Sequence, residues 1–148
     1  MTHEQLAVDA MTDQDAPLAM TEAQAAELRA LNRVFAIIKF RPDGTILDAN
    51  DNFAQLTGYA ASELVGRHHS MFVDDAYARS PEYKAFWMKL ARGEFDAGRY
   101  RRRDRMGRTI WLQANYNPVF DARGAVTSVI KFATDITESQ ILEANATG

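Results

Sequence analysis

Apolar and polar positions fall into two regimes along this chain. Over residues 97–137 they form three strand-like runs, separated by two Gly-bearing turns at Asp104 to Gly107 and Asp121 to Gly124. Tight turns between alternating runs predict an antiparallel meander. It closes on Asp135-Ile136-Thr137, after which Glu138 to Ala146 is helix-prone, with Ile141 and Leu142 opening an apolar pattern. Before the meander the period changes. Val34 to Phe40 is a continuous apolar run, read as a buried strand. Arg41-Pro42-Asp43-Gly44 supplies a turn, and Thr45 to Ala49 returns as a second strand.

Helical spacing then takes over. Asn50-Asp51-Asn52 offers caps to a short helix carrying Phe53, Leu56 and Tyr59, and Gly58 closes it. Ser62 to Gly66 makes one further turn, and His68 to Ala78 lacks a clear period, as a loop or broken helix would. Pro81 to Arg92 is the longer helix, with Pro at its first position, Gly93 past its end, and Tyr83, Phe86, Trp87 and Leu90 on its apolar face. At the other end, Thr21-Glu22-Ala23-Gln24 is a capping box opening a helix whose stripe is Ala25, Leu28, Leu31 and Phe35. That stripe suits docking on the domain's own sheet or pairing with a second copy. The expected division is a flexible acidic arm (1–20), an N-terminal helix (21–33), one domain (34–137) and the start of a C-terminal helix (138–148).

Taken in order, these elements resemble a PAS domain, a sensory module of bacterial signalling proteins. The residues that carry the likeness are the Pro42-Asp43-Gly44 hairpin, Asn50-Asp51-Asn52-Phe53 with Thr57-Gly58-Tyr59, and the meander ending in Asp135-Ile136-Thr137. The resemblance implies an α+β fold: a five-stranded antiparallel sheet with short helices on one face, plus an N-terminal cap helix. It implies detection rather than catalysis, so not an enzyme, with Asp135 and Thr137 coupling the sheet to a signalling helix. It also implies a homodimer through the N-terminal helix or the sheet, and a downstream transducer or kinase of the chemotaxis type.

Composition narrows the chemistry. With 148 residues, 47% apolar and 25% charged, the chain can bury a core without staples. It has no cysteine, which excludes disulfides, thiolate metal sites and the cysteinyl-flavin photochemistry of the LOV subfamily. No apolar run approaches a membrane span and no secretory signal is evident, so a cytoplasmic location is expected. Residues 1–33 carry six acids and two arginines, whereas 99–108 carry six arginines and one aspartate. Side chains on a hairpin diverge to both faces, so the arginines read as a solvated hairpin with cross-strand charge pairs and not as a nucleic-acid surface. Asp74 and Asp75 are adjacent and point apart, so they make no acid–base pair.

The cofactor reading divides three ways. Phe86 to Glu94 is similar to the segment of flavin-binding aerotaxis receptors in which a tryptophan, here Trp87, contacts FAD. Gly66 to Phe72 resembles the same class, and Asn50 matches an asparagine of its flavin site. Where those receptors carry an Arg-His-Pro-Asp pattern, this chain reads Phe72-Val73-Asp74-Asp75. Haem b is the alternative, through His68 or His69, of which at most one faces inward; His69 falls near the position of the LOV cysteine. The third reading is a ligand-free interaction module. Gln113, Asn115 and Asn117 share one face of a strand with Trp111. Facing inward, that row offers donors and acceptors to a flavin's pyrimidine edge; facing outward, it decorates the sheet. The expected cofactor-binding set is therefore Asn50, His69, Trp87, Trp111, Gln113 and Asn115.

Overall fold

The computed structural model describes residues 19–147; the acidic arm falls almost wholly outside the described residues. Its elements are α1 (Glu22–Val34), β1 (Ala36–Phe40), β2 (Ile46–Ala49), α2 (Asp51–Thr57), α3 (Ala61–Leu64), a 3-10 turn (His69–Phe72), α4 (Asp75–Ala78), α5 (Pro81–Ala91), β3 (Asp96–Arg103), β4 (Thr109–Phe120), β5 (Val126–Asp135) and α6 (Thr137–Thr147). The five strands form one sheet in the order β2-β1-β5-β4-β3, every neighbour antiparallel. The first hairpin therefore joins the meander through β1 against β5, with Ile38 opposite Lys131. The α+β five-stranded architecture expected from the sequence is the one observed.

Pleat alternation sets the two faces of the sheet. Ile38 and Phe40 of β1, Val129 and Ala133 of β5, and Ile110, Leu112, Ala114 and Tyr116 of β4 are buried on the inner face. The segment between β2 and β3 folds over that face. From it Phe53, Leu64, Phe72, Val73, Tyr83, Trp87 and Leu90 complete the core.

Local signals explain the boundaries. The Thr21 hydroxyl accepts from Gln24 N while the Gln24 side chain accepts from Thr21 N, the reciprocal capping box that starts α1. Pro81 opens α5 behind the Ser80 cap. The stretch without clear period, 68–78, is a 3-10 turn followed by one turn of α4. The run from Val34 to Phe40 is not all strand. Nothing in the sequence stops α1 before Val34, and Phe35 N–H still donates to Leu31 O, so the strand begins at Ala36.

The N-terminal helix caps the domain by a polar buckle rather than by its apolar stripe. None of its residues is buried. Asn50 Nδ2 donates to Asn32 Oδ1 and to Phe35 O, and Asn52 Nδ2 donates to the carbonyls of Asn32 and Phe35. Leu28, Leu31 and Val34 are left exposed.

Candidate functional site

The interior is organised around His69, which is fully buried. Its Nδ1 lies 2.7 Å from the Tyr83 hydroxyl on α5, and its Nε2 lies 2.9 Å from the Tyr116 hydroxyl on β4. Tyr116 in turn accepts from Arg102 Nη2 on β3 at 3.1 Å. A chain of hydrogen bonds therefore runs from helix to sheet, across the body of the domain. Burial, reinforced by the nearby Arg102 and Lys131 cations, holds the His69 pKa well below the usual imidazole range. The ring is neutral.

Neutrality and the arginine together fix the direction of this chain. Arg102 can only donate, so Tyr116 accepts from it. The acceptor Tyr116 then finds for its own hydrogen is His69 Nε2, since the alternative strands the hydrogen of a fully buried hydroxyl at a cost of about 1–3 kcal/mol, whereas Tyr83 lines a surface pocket where its hydrogen can meet water. With Nε2 accepting, Nδ1 carries the proton and donates to the Tyr83 oxygen. Burial pushes the Tyr83 and Tyr116 phenols up, so both keep their protons.

Aromatic rings pack tightly around the imidazole. Ring centroids are 5.4 Å apart for Phe40 and His69, 5.3 Å for His69 and Trp87, 5.2 Å for Phe40 and Trp87, and 4.9 Å for Phe86 and Tyr116. Those spacings are direct ring-on-ring contact, without room for a third ring between. Lys131 is buried on the same face, its ammonium nitrogen 4.8 Å from the Tyr116 ring centroid. Burial first, and Arg102 second, lower its pKa well below the ordinary lysine value.

Expected site residues separate into three groups. His69 and Trp87 meet in the core, and His68 lies beside Trp87 at 6.2 Å between centroids. Trp111, Gln113 and Asn115 lie on the sheet's outer face, because the even-numbered residues of β4 point inward. The inward alternative for the amide row is therefore ruled out by strand phase. Gln113 Nε2 donates to Gly98 O, and Asn115 Oδ1 accepts from Asn117 Nδ2. Asn50 sits at the corner of α1, β1 and α2, where its Oδ1 accepts from Ile37 N and Phe53 N and its amide is spent on α1.

The haem and flavin sets can be tested on these contacts. His68 Nδ1 accepts from Ser70 N, leaving Nε2–H to donate to Asp43 O at 2.8 Å. Both nitrogens of His68 and both of His69 are thus engaged, and the pair does not fit as axial ligands to haem. With the side chains as they stand, the core has no space for an isoalloxazine: Asn50, Gln113 and Asn115 lie outside it, and the rings inside touch one another.

Sequence reasoning did not single out Tyr116, Arg102 or Lys131 as members of the site. Phase was the available signal. Tyr116 alternates inward with Leu112 and Ala114, and Lys131 alternates inward with Val129 and Ala133. The arginine hairpin also differs from the solvated form expected. Arg102 is buried, and its neighbours pair with the helical segment: Arg101 with Asp74, Arg103 with Asp75 at 3.1 Å, and Arg105 with Glu63 at 2.7 Å.

A second junction lies at the exit from the sheet. Asp135 Oδ1 accepts from Thr137 N at 2.9 Å and from the Thr137 hydroxyl at 2.5 Å. The Thr137 hydroxyl oxygen accepts from Trp111 N, and Trp111 O accepts from Ile136 N, both at 2.9 Å. The first turn of α6 is thereby tied to the backbone of β4, the strand that carries Tyr116.

Comparison with known families agrees with this geometry. The profile described as a PAS domain matches residues 34–138. The chain belongs to the PAS family. Among curated PAS relatives, the biofilm dispersion protein BdlA of Pseudomonas aeruginosa is 48% identical over 109 residues, covering 74% of this chain and 26% of that protein. The aerotaxis receptor of Escherichia coli K12 is 29% identical over 96 residues, covering 65% of this chain and 19% of the receptor. This PAS chain thus spans about a quarter or less of those two relatives. Among solved structures, an RNA-binding light-oxygen-voltage receptor superposes with a TM-score of 0.66 at 28% identity, over 89% of this chain and 41% of that one. Among the described residues no helix is long and apolar enough to cross a membrane, and no cluster of three or more His, Cys, Asp or Glu side chains could hold a metal.

Proposed function

We propose that this PAS domain is a cytoplasmic sensory module that signals to a chemotaxis-type transducer or kinase. Input is read on the helical side of the His69 chain, and output leaves through Asp135, Thr137 and α6. The observation that carries the reading is that one strand, β4, holds both ends of the path: Tyr116 contacts His69, and Trp111 is bonded to Thr137. A change at the imidazole has a short route to the exit helix: a hydrogen bond to Tyr116, the backbone of β4 back to Trp111, and the bond from Trp111 N–H to Thr137. Two states differing by a few kcal/mol suffice for a switch of this kind. The relation to the aerotaxis receptor supports the chemotaxis assignment. The exposed Leu28, Leu31 and Val34 on α1 support a homodimer joined through that helix.

The test is a comparison of backbone amide spectra of the protein and its Tyr116→Phe variant. Propagated shifts at Thr137 to Gln140 are expected. Shifts confined to the immediate neighbours of Tyr116 would remove the proposed route.

FAD as the input group is the second reading, favoured by the place of Trp87 on α5 beside His69 and by the 29% identity with the aerotaxis receptor. It requires Phe86 and Trp87 to leave the positions they occupy. Protein purified from flavin-replete cells decides between the readings: colourless protein rejects FAD, and flavin absorption bands establish it.

A further inference from the structure

A pocket of about 500 Å³ opens to the surface between the β1–β2 turn and α5, lined by Pro42, Asp43, His68, Tyr83, Lys84 and Trp87 among others. Tyr83 and Trp87 lie on one face of α5, four residues apart, and the exposed Lys84, three residues before Trp87, stands at the pocket's edge. His68 brings nothing to a ligand, because both its nitrogens are engaged. Three other groups are free. The Trp87 indole N–H is buried in a side chain only 7% exposed and has no hydrogen-bond partner among the described residues. The Tyr83 oxygen lies near it, outside hydrogen-bond geometry, and accepts from His69. Tyr83 therefore has its own hydrogen left over. Lys84 is exposed and makes no ion pair with any described residue.

All three groups are donors, and one of them is a full positive charge. The rest of the wall is apolar: Pro42, Ala78, Met88, Ala91 and the indole face itself. Donors gathered at one side of an apolar, aromatic-walled recess select a flat body with one anionic acceptor group. Asp43 is the one carboxylate on the rim. Its Oδ1 is turned to Thr45 N at 2.9 Å, on the turn and not on α5.

We propose that this pocket binds a small aryl carboxylate, with its carboxylate on the Tyr83 hydroxyl, the Trp87 indole N–H and the Lys84 ammonium, and its ring against the apolar wall. The proposal rests on the sensory reading and names its input. Once Tyr83 donates to a ligand, the oxygen that accepts from His69 is the same atom that holds the ligand. The ligand thus stands at the head of the chain running to Tyr116 and Arg102.

The experiment follows the two indole N–H resonances of the full chain, assigned with Trp111→Phe, during titration with 1-naphthoate and, separately, with neutral 1-naphthamide. Saturable movement of the Trp87 resonance with naphthoate, while that of Trp111 stays in place, is expected. Lys84→Met should weaken naphthoate roughly two- to fivefold and leave naphthamide unchanged. Tyr83→Phe should weaken both roughly three- to tenfold. An unmoved Trp87 resonance, equal affinity for the two probes, or affinities indifferent to both variants overturns the proposal. Lys84 is exposed, so its variant keeps the test decisive if Tyr83→Phe disturbs the core. Binding that leaves the Thr137 amide unmoved would keep the ligand site and overturn the sensory reading instead.

Discussion

The Tyr116 hydroxyl on β4 lies 2.9 Å from Nε2 of His69, so a phenol rooted in the sheet holds an imidazole rooted in the helical segment. Removing it leaves His69 Nε2 and one Arg102 N–H without partners in a buried setting. Tyr116→Phe should therefore destabilise the fold by about 1–3 kcal/mol, as measured by urea denaturation. An unchanged midpoint would mean that the hydroxyl is not part of a satisfied network.

Acid should weaken the protein through His69. Its pKa is lowered in the fold, so below the unfolded value near 6.5 the unfolded chain takes up a proton that the folded chain refuses. The His69 share of the stability is therefore full above about pH 6.5. It falls as pH drops below that value, with a limiting slope of about 1.4 kcal/mol per pH unit for the one group. Denaturation midpoints recorded from pH 8 to pH 5 check the sign, and His69→Gln should flatten that part of the profile.

Lys131 works in the same direction over a higher window. Its folded pKa is also lowered, so below the ordinary lysine value the unfolded state binds the extra proton and gains over the folded one. Lys131→Met keeps the volume and removes the charge. Thermal unfolding at pH 7 should show a higher midpoint for the variant; a lower one would mean that the ammonium is better satisfied than its ring contacts indicate.

Asn50 and Gly44 are structural positions with separate signatures. Asn50→Ala removes the cap of α2, the acceptor of Ile37 N–H and the buckle to Asn32. It should cost about 1–3 kcal/mol and speed amide exchange throughout α1. Gly44 has φ +94°, and an added Cβ would stand 2.7 Å from His68 Nε2 and 2.9 Å from Trp87 Cε2. Gly44→Ala should cost at least about 1–3 kcal/mol and disturb the Trp87 indole resonance.

At the exit, Asp135→Ala removes the acceptor of both Thr137 N–H and its hydroxyl. Hydrogen exchange should rise over the first turn of α6 and stay unchanged in β5, with a local cost of about 0.5–2 kcal/mol. Equal protection in both proteins would show that α6 is held by something other than this clasp.

Much of the architecture was legible because its signals are local. Pro42, Gly44, Gly107 and Gly124 mark turns, Ser80 and Pro81 start α5, and Asp135 with Thr137 marks the exit. The strand edge at Ala36 was hidden, since Val34 and Phe35 suit either helix or strand. The site was harder to read because it depends on phase and on distance in the chain. Gln113 and Asn115 advertise hydrogen-bonding chemistry yet face outward, whereas Lys131 and Arg102 look like surface cations yet sit inside. His69 meets Tyr116 across 47 positions, and no spacing rule announces such a pair.

A neutral His69, with its proton on Nδ1, joins helix to sheet. Nitrogen-15 spectra of the imidazole ring, recorded from pH 5 to pH 8, test it most directly. A protonated Nδ1 and an accepting Nε2, with no titration near pH 6.5, are expected. A ring that titrates there, or one protonated on Nε2, would contradict it.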